Sequence, residues 1–209
     1  MEQIVAWNMI KDQRLSEGLL EKFLTVQRCK MANRLIEPQY RQGRILDVGC
    51  GSYPFFLFNT QFLQKFGLDR LIREEDSRLW QKEGMTFYQG DLEKQAKLPF
   101  DDNYMDVITM LAVLEHIEPA NLIRQLAEMR RIMKPGGMLI LTTPAPWSDP
   151  LLNILSAFKL INTALYHEHK DTYNFSKIMA VLEKAGFAEK KIRLGYFEFF
   201  LNIWTTAKK

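Results

Sequence analysis

Apolar positions recur along this chain in two different periods. Leu15 to Ile36 carries leucines, Phe23 and Val26 near helical spacing, with Pro38 just beyond, and this predicts a helix. Arg44 to Val48 is a short apolar run ending in glycine, the pattern of a buried strand. Phe55 to Phe66 predicts a short helix, Gly67-Leu68-Asp69 the end of a second strand, and Leu71 to Lys82 a polar helix. Met85 to Gln89 predicts a third strand, followed by Gly90-Asp91. Asp106 to Leu111 is almost wholly apolar, as a strand buried on both faces must be.

The segment Pro119 to Met133 places Leu122, Leu126, Met129 and Met133 on one helical face and stops at Lys134-Pro135-Gly136-Gly137. Met138 to Thr143 predicts a fifth strand ended by Pro144. Two helices follow, Leu151 to Leu165 and Ser176 to Ala185, the second closed by Gly186. Strand-like runs from Lys190 to Phe197 and from Phe199 to Ala207 finish the chain. Strands alternating with helices imply βαβ units and a mostly parallel sheet covered on both faces. The last two strands are joined too tightly for a parallel crossover, so they must form an antiparallel pair.

With 209 residues and no repeat or linker, the chain reads as a single domain. A helical N-terminal region covers 1–40, a core 41–144, and a lid and acceptor region with the C-terminal hairpin 145–209. Twenty-eight basic residues against 25 acidic ones are scattered without a run of one sign, which argues against nucleic-acid binding. Cys29 and Cys50 lack metal-ligand spacing, and Cys50 sits inside a glycine turn, so a reducing compartment, the cytoplasm, is expected. Charges interrupt every apolar run near the N-terminus, which does not fit a signal peptide. No window reaches the ~18 uninterrupted apolar residues of a membrane span. Stable membrane insertion is not expected.

Ligands of open α/β sheets bind beyond the carboxyl ends of the strands. Asp47, Gly49 and Gly51, then Asp69, then Asp91 stand at the ends of the first three strands, and Leu111 to His116 follow the fourth. Asp69 lies 22 residues after Asp47, near the distance at which an acid meets a ribose in such folds. A carboxylate can accept from both ribose hydroxyls at once. Asp91 is placed to accept from an adenine amino group.

In order and at suitable spacing, ILDVGCG, the acid of GLD, the pair GD, the segment LPFDDNYMDVITMLAVLEHIEP and the turn KPGGMLILTTP resemble class I S-adenosylmethionine-dependent methyltransferases. The likeness covers about Arg44 to Pro144 and is nearest to the small-molecule, type-11-like branch. It implies a Rossmann-like three-layer sandwich around a seven-stranded, mostly parallel sheet with an antiparallel last strand. It also implies S-adenosylmethionine as cofactor and S-adenosylhomocysteine as product. Asp47, Gly49, Cys50 and Gly51 then match the loop at the cofactor's methionine part and Asp69 the ribose acid. Asp91 with Leu92 match the adenine contacts, and Leu111 the residue flanking the cofactor.

The loop departs from both glycine patterns it could follow. A dinucleotide fingerprint needs a third glycine where Pro54 stands, which sets the NAD alternative aside. The methyltransferase loop's own third glycine is replaced by Tyr53, which Pro54 restricts to extended backbone. The helix is therefore expected to begin near Ser52 to Pro54, where proline is tolerated. Tyr53 either packs against the cofactor's sulfonium, a contact worth ~0.5–2 kcal/mol, or fills the gap above the helix.

Methyl transfer depends on positioning and exclusion of water, and a base is needed only for an acceptor that must lose a proton. His116, Glu115, His167 and His169 are the candidate bases, and the last two could instead be lid residues or metal ligands lacking a third partner. No metal is expected. The expected acceptor is a small molecule or a glycan-type sugar. The alternatives are a non-catalytic cofactor-binding regulator or assembly protein, and a structural interaction module, for which a homodimer through the C-terminal aromatics would be the evidence.

Overall fold

Apolar runs of five to seven residues cannot bury themselves alone, and here they pair into one sheet. The computed structural model describes residues 19–148 and 170–209. Its strands are β1 (Arg44–Val48), β2 (Gln64–Asp69), β3 (Met85–Gln89), β4 (Met105–Leu111), β5 (Met133–Pro144), β6 (Ile192–Phe197) and β7 (Asn202–Lys208). The helices are α1 (Leu19–Leu35), α2 (Phe55–Phe58), α3 (Glu74–Gln81), α4 (Pro119–Ile132) and α5 (Phe175–Lys184). The sheet order is β3-β2-β1-β4-β5-β7-β6. The first five strands run parallel, and β7 is antiparallel to both β5 and β6, so the expected hairpin is present.

Strand order reverses between β1 and β4, which makes the gap above those two strands the topological switch point. Alternate residues of the central strands serve opposite layers. Ile45, Val107, Met138 and Ile140 pack under α1 through Cys29, Ala32 and Ile36. Leu46, Ile108, Leu139 and Leu141 pack under α4 and α5 through Leu122, Leu126, Met129, Ile178 and Leu182. The buried side chains of α4 follow the three-and-four spacing seen in its sequence.

Three expected elements change. The helix predicted over Phe55 to Phe66 stops at Phe58, because Phe66 is drawn into β2 opposite Leu46. Asn59 closes the short helix by donating its side-chain N–H to Phe55 O at 2.7 Å. The strand predicted from Met138 begins at Met133, since Met133 pairs with Met105 before the register shifts at Val107. Lys134 bridges that irregularity, with Nζ 2.7 and 2.8 Å from the carboxylate oxygens of Asp106. The last strand starts at Asn202 and not Phe199, because Glu198, Phe199 and Phe200 form a turn with φ of 52°, 54° and 68°. The predicted helix over Leu151 to Leu165 lies outside the described residues, as do His167 and His169.

Candidate functional site

The loop after β1 is shaped by its two glycines. Gly49 has φ 75° and donates its N–H to Leu68 O at 2.8 Å, which ties the loop to β2. A Cβ on Gly49 would collide with Cγ2 of Val113 and lie 2.9 Å from its Cγ1, so the loops after β1 and β4 touch across the switch point. Gly51, with φ 73°, differs: a Cβ there would meet only the Tyr53 nitrogen, at 3.9 Å, and would otherwise project into open space. Cys50 between them is buried, which pushes its thiol well up.

Tyr53 does not take positive φ, as its following proline requires. Its ring stacks on Phe58 at 5.3 Å, and Phe58 in turn meets the edge of Trp80 at 6.4 Å. At the departure from the glycine pattern Tyr53 thus joins an aromatic stack with Phe58 of α2.

The three rim acids have different surroundings. Asp69 accepts from Gly51 N–H through Oδ2 and from Leu71 N–H through Oδ1, both at 2.8 Å. Two backbone donors fix the carboxylate and leave a second lone pair on each oxygen. Asp47 lies within β1 and not on the open loop, and its Oδ1 accepts from the Thr109 hydroxyl of β4 at 2.7 Å. Burial, opposed by that hydrogen bond and reinforced by the charge of Asp69, pushes its carboxyl up to about 7. Asp91 accepts from Glu93 N–H at 2.9 Å. Leu92 is buried, and its carbonyl is held by Gln125 of α4 at 2.7 Å.

The end of β4 closes the other side of the switch point. Leu111 packs against the α1 layer. Ala112 has φ 55°, an uncommon conformation for a residue with a Cβ. Its N–H is held by Thr142 of β5, 2.9 Å from the carbonyl and 3.1 Å from the hydroxyl. A 3-10 turn, Leu114–His116, then carries the two candidate bases. Glu115 is buried and accepts from the Thr143 hydroxyl at 3.1 Å, and burial raises its carboxyl pKa. His116 is half-buried on the same turn, its N–H bonded to Val113 O at 3.0 Å.

The structure therefore gathers Gly49, Cys50, Gly51, Asp47 and Asp69 with Leu111, Glu115 and His116 around the β1–β4 gap, and sets Asp91 and Leu92 beside β2. Sequence inspection missed Thr109 bonded to Asp47, Thr143 bonded to Glu115, and the Glu198–Asn202 pair. Glu198 had one available signal, an acid alone in the aromatic run YFEFF. The threonines had none, since a hydroxyl inside a strand looks like any other strand residue. Among the described residues no cluster of three metal-ligating side chains exists.

A seven-stranded sheet in this order, with a C-terminal antiparallel pair, defines a Rossmann-like methyltransferase fold. The chain belongs to the family described as methyltransferase domain, whose model matches residues 20–189. The ubiquinone/menaquinone biosynthesis C-methyltransferase UbiE of Paraburkholderia xenovorans is 35% identical over 81 residues, which cover 38% of this chain and 32% of that protein. The UbiE of Burkholderia cenocepacia is 41% identical over 68 residues, 31% of this chain and 27% of that protein. The chain thus spans about a third or less of the curated relatives named here.

Among solved structures, an S-adenosylmethionine-dependent methyltransferase from Mesorhizobium loti superposes with a TM-score of 0.63 at 18% identity, over 89% of this chain and 100% of that one. A Haemonchus contortus N-methyltransferase in complex with phosphomonomethylethanolamine and S-adenosylhomocysteine superposes with a TM-score of 0.63 at 16% identity, over 88% of this chain and 52% of that one. These two share the fold.

Proposed function

We propose that this chain transfers a methyl group from S-adenosylmethionine to a small-molecule acceptor. The observation that carries the reading is the Asp69 carboxylate, fixed by Gly51 and Leu71 N–H groups beside the open space over Gly51. Its remaining lone pairs suit a vicinal diol, as in a ribose. Gly49, Cys50 and Gly51 bring backbone close to the methionine part, with Asp47 behind them. Asp91 and Leu92 take the adenine edge and face, and Leu111 flanks the cofactor across the gap. Bound there, the sulfonium supplies an activated methyl group.

The chain's own residues then have to position an acceptor and keep water out. Glu115 and His116 stand at the end of β4, where an acceptor would lie, and are the groups proposed to orient it or take its proton. The matched UbiE proteins are named for C-methylation in quinone biosynthesis, which favours a small ring-bearing acceptor over a glycan. Nucleic acid is not a proposed acceptor. Free cysteines at 29 and 50 fit a reducing, cytoplasmic setting. Among the described residues no helix is long and apolar enough to cross a membrane.

The test is to incubate the protein with methyl-labelled S-adenosylmethionine and a panel of small metabolites, and to count label in products other than the cofactor. Label transfer that is lost in Asp69→Ala supports the reading. Tight cofactor binding with no transfer to any acceptor favours the non-catalytic regulator instead.

A further inference from the structure

Beyond the ends of β5 and β7 the turn at 198–200 does something that the cofactor reading leaves unexplained. Three successive residues, none of them glycine, hold left-handed backbone there. Such strain persists only where surrounding structure enforces it, and it concentrates at functional positions. The turn is locked on both sides, by Leu201 N–H on Glu198 O at 3.0 Å and by Ala145 N–H on Leu201 O at 2.8 Å.

The consequence is the placement of Glu198. Asn202 of β7 donates its side-chain N–H to Glu198 Oε2, while Oε1 is sealed from solvent with no hydrogen-bond partner among the described residues. A buried carboxylate oxygen with nothing to accept from is costly to keep unless a ligand completes it. Burial pushes the carboxyl up to about 7, and the guanidinium of Arg28 on α1 opposes that shift. The same guanidinium also favours the charged form of Glu115 at the end of β4.

An aromatic cluster lies at the end of β6, beside the turn. Tyr196 stacks on Phe175 at 4.5 Å and meets Trp147 at 5.1 Å and Phe200 at 5.8 Å. Trp147 is 49% exposed and Phe200 64%, so ring faces remain open beside the turn. The positive charge of Arg28, felt at Glu198, would repel a cationic ligand, whereas a neutral donor gains a partner without that penalty.

We propose that Glu198 is an acceptor-binding residue, whose carboxyl group, only partly buried at the turn, swings Oε1 out to accept a hydrogen bond from the hydroxyl of a neutral aromatic acceptor lying against Tyr196 and Phe200. This rests on the methyltransferase reading and adds to it the chemical class of the acceptor. It also gives the strained turn a purpose.

The test uses the whole protein saturated with S-adenosylhomocysteine and three probes followed by saturation-transfer NMR: catechol, its dimethyl ether veratrole, and phenethylamine. Catechol should bind at least tenfold tighter than veratrole, which keeps the ring but has no O–H donor. Glu198→Ala should abolish that preference, and Glu198→Gln should retain part of it through the amide carbonyl. Thermal unfolding shows that each variant is folded, and if Glu198→Ala is not, the Glu198→Gln and wild-type preferences decide. Equal binding of catechol and veratrole, tighter binding of phenethylamine, a preference untouched in the variants, or no binding of catechol to the loaded protein would each overturn the proposal. Calorimetry with S-adenosylhomocysteine separates the two levels. If it does not bind, the cofactor-site reading itself fails; if it binds and catechol does not, only the role of Glu198 fails.

Discussion

Gly49 and Gly51 share a left-handed backbone but should respond very differently to the same substitution. An alanine at either position meets the left-handed penalty, ~1–2 kcal/mol. At Gly49 its Cβ also collides with Val113, and overpacking of this kind costs roughly 1–3 kcal/mol more. Gly49→Ala should therefore lose roughly 2–5 kcal/mol, a large part of a stability of about 5–15 kcal/mol. Gly51→Ala meets only the Tyr53 nitrogen at 3.9 Å and should lose no more than ~1–2 kcal/mol. Its Cβ projects instead into the space assigned to the cofactor, so affinity for S-adenosylhomocysteine should fall tenfold or more, ~1.4 kcal/mol.

Urea unfolding of the two variants, of Val113→Ala and of the Gly49→Ala/Val113→Ala pair measures the steric part separately. The double variant should recover ~1–3 kcal/mol relative to additivity, because the methyls responsible for the collision are gone. Additive losses, or equal losses at the two glycines, would refute the account of this loop.

Two further perturbations probe the buried acids. The carboxyl of Asp47 is raised from 3.8 to about 7 by burial, so the native state holds a proton that the unfolded chain has released. Its stabilising contribution is complete below pH ~4 and is lost as pH rises through 7, up to roughly 4 kcal/mol. Asp47→Asn removes this titration, so the variant should gain stability relative to wild type between those limits; urea midpoints with a difference constant in pH would contradict it. Thr143→Val removes the hydroxyl that Glu115 accepts from at 3.1 Å and should cost ~1–3 kcal/mol at neutral pH, with Thr143→Ser losing much less. Equal losses in the two variants would show that the methyl group and not the hydrogen bond matters.

What was legible in the sequence follows the strength of each local signal. Continuous apolar strands and the helical periods of α4 and α5 appear nearly where expected, because those faces are buried and their patterns have no competing use. The glycine loop and the placing of Asp69 and Asp91 at strand ends were legible because left-handed turns leave few choices of residue. The short α2 was not, since five phenylalanines between 55 and 66 suit a helix face and a strand equally, and only pairing with β1 decides. The Glu198 turn was hidden for a related reason. Aromatic residues favour strands, and nothing in YFEFFL announces three left-handed residues held by the ends of β5 and β7. The burial of Asp47 inside the sheet was equally invisible, because it depends on Thr109 of a strand some sixty residues away, 62 in the chain.

The central claim is that Asp69 and the glycine loop form a site for S-adenosylmethionine. Calorimetric titration of S-adenosylmethionine and S-adenosylhomocysteine into wild type and Asp69→Ala, with NAD as control, tests it most directly. Both sulfur ligands should bind with micromolar affinity, weakened at least tenfold by the substitution, while NAD gives no heat. Absence of binding, or binding indifferent to Asp69, would contradict the account.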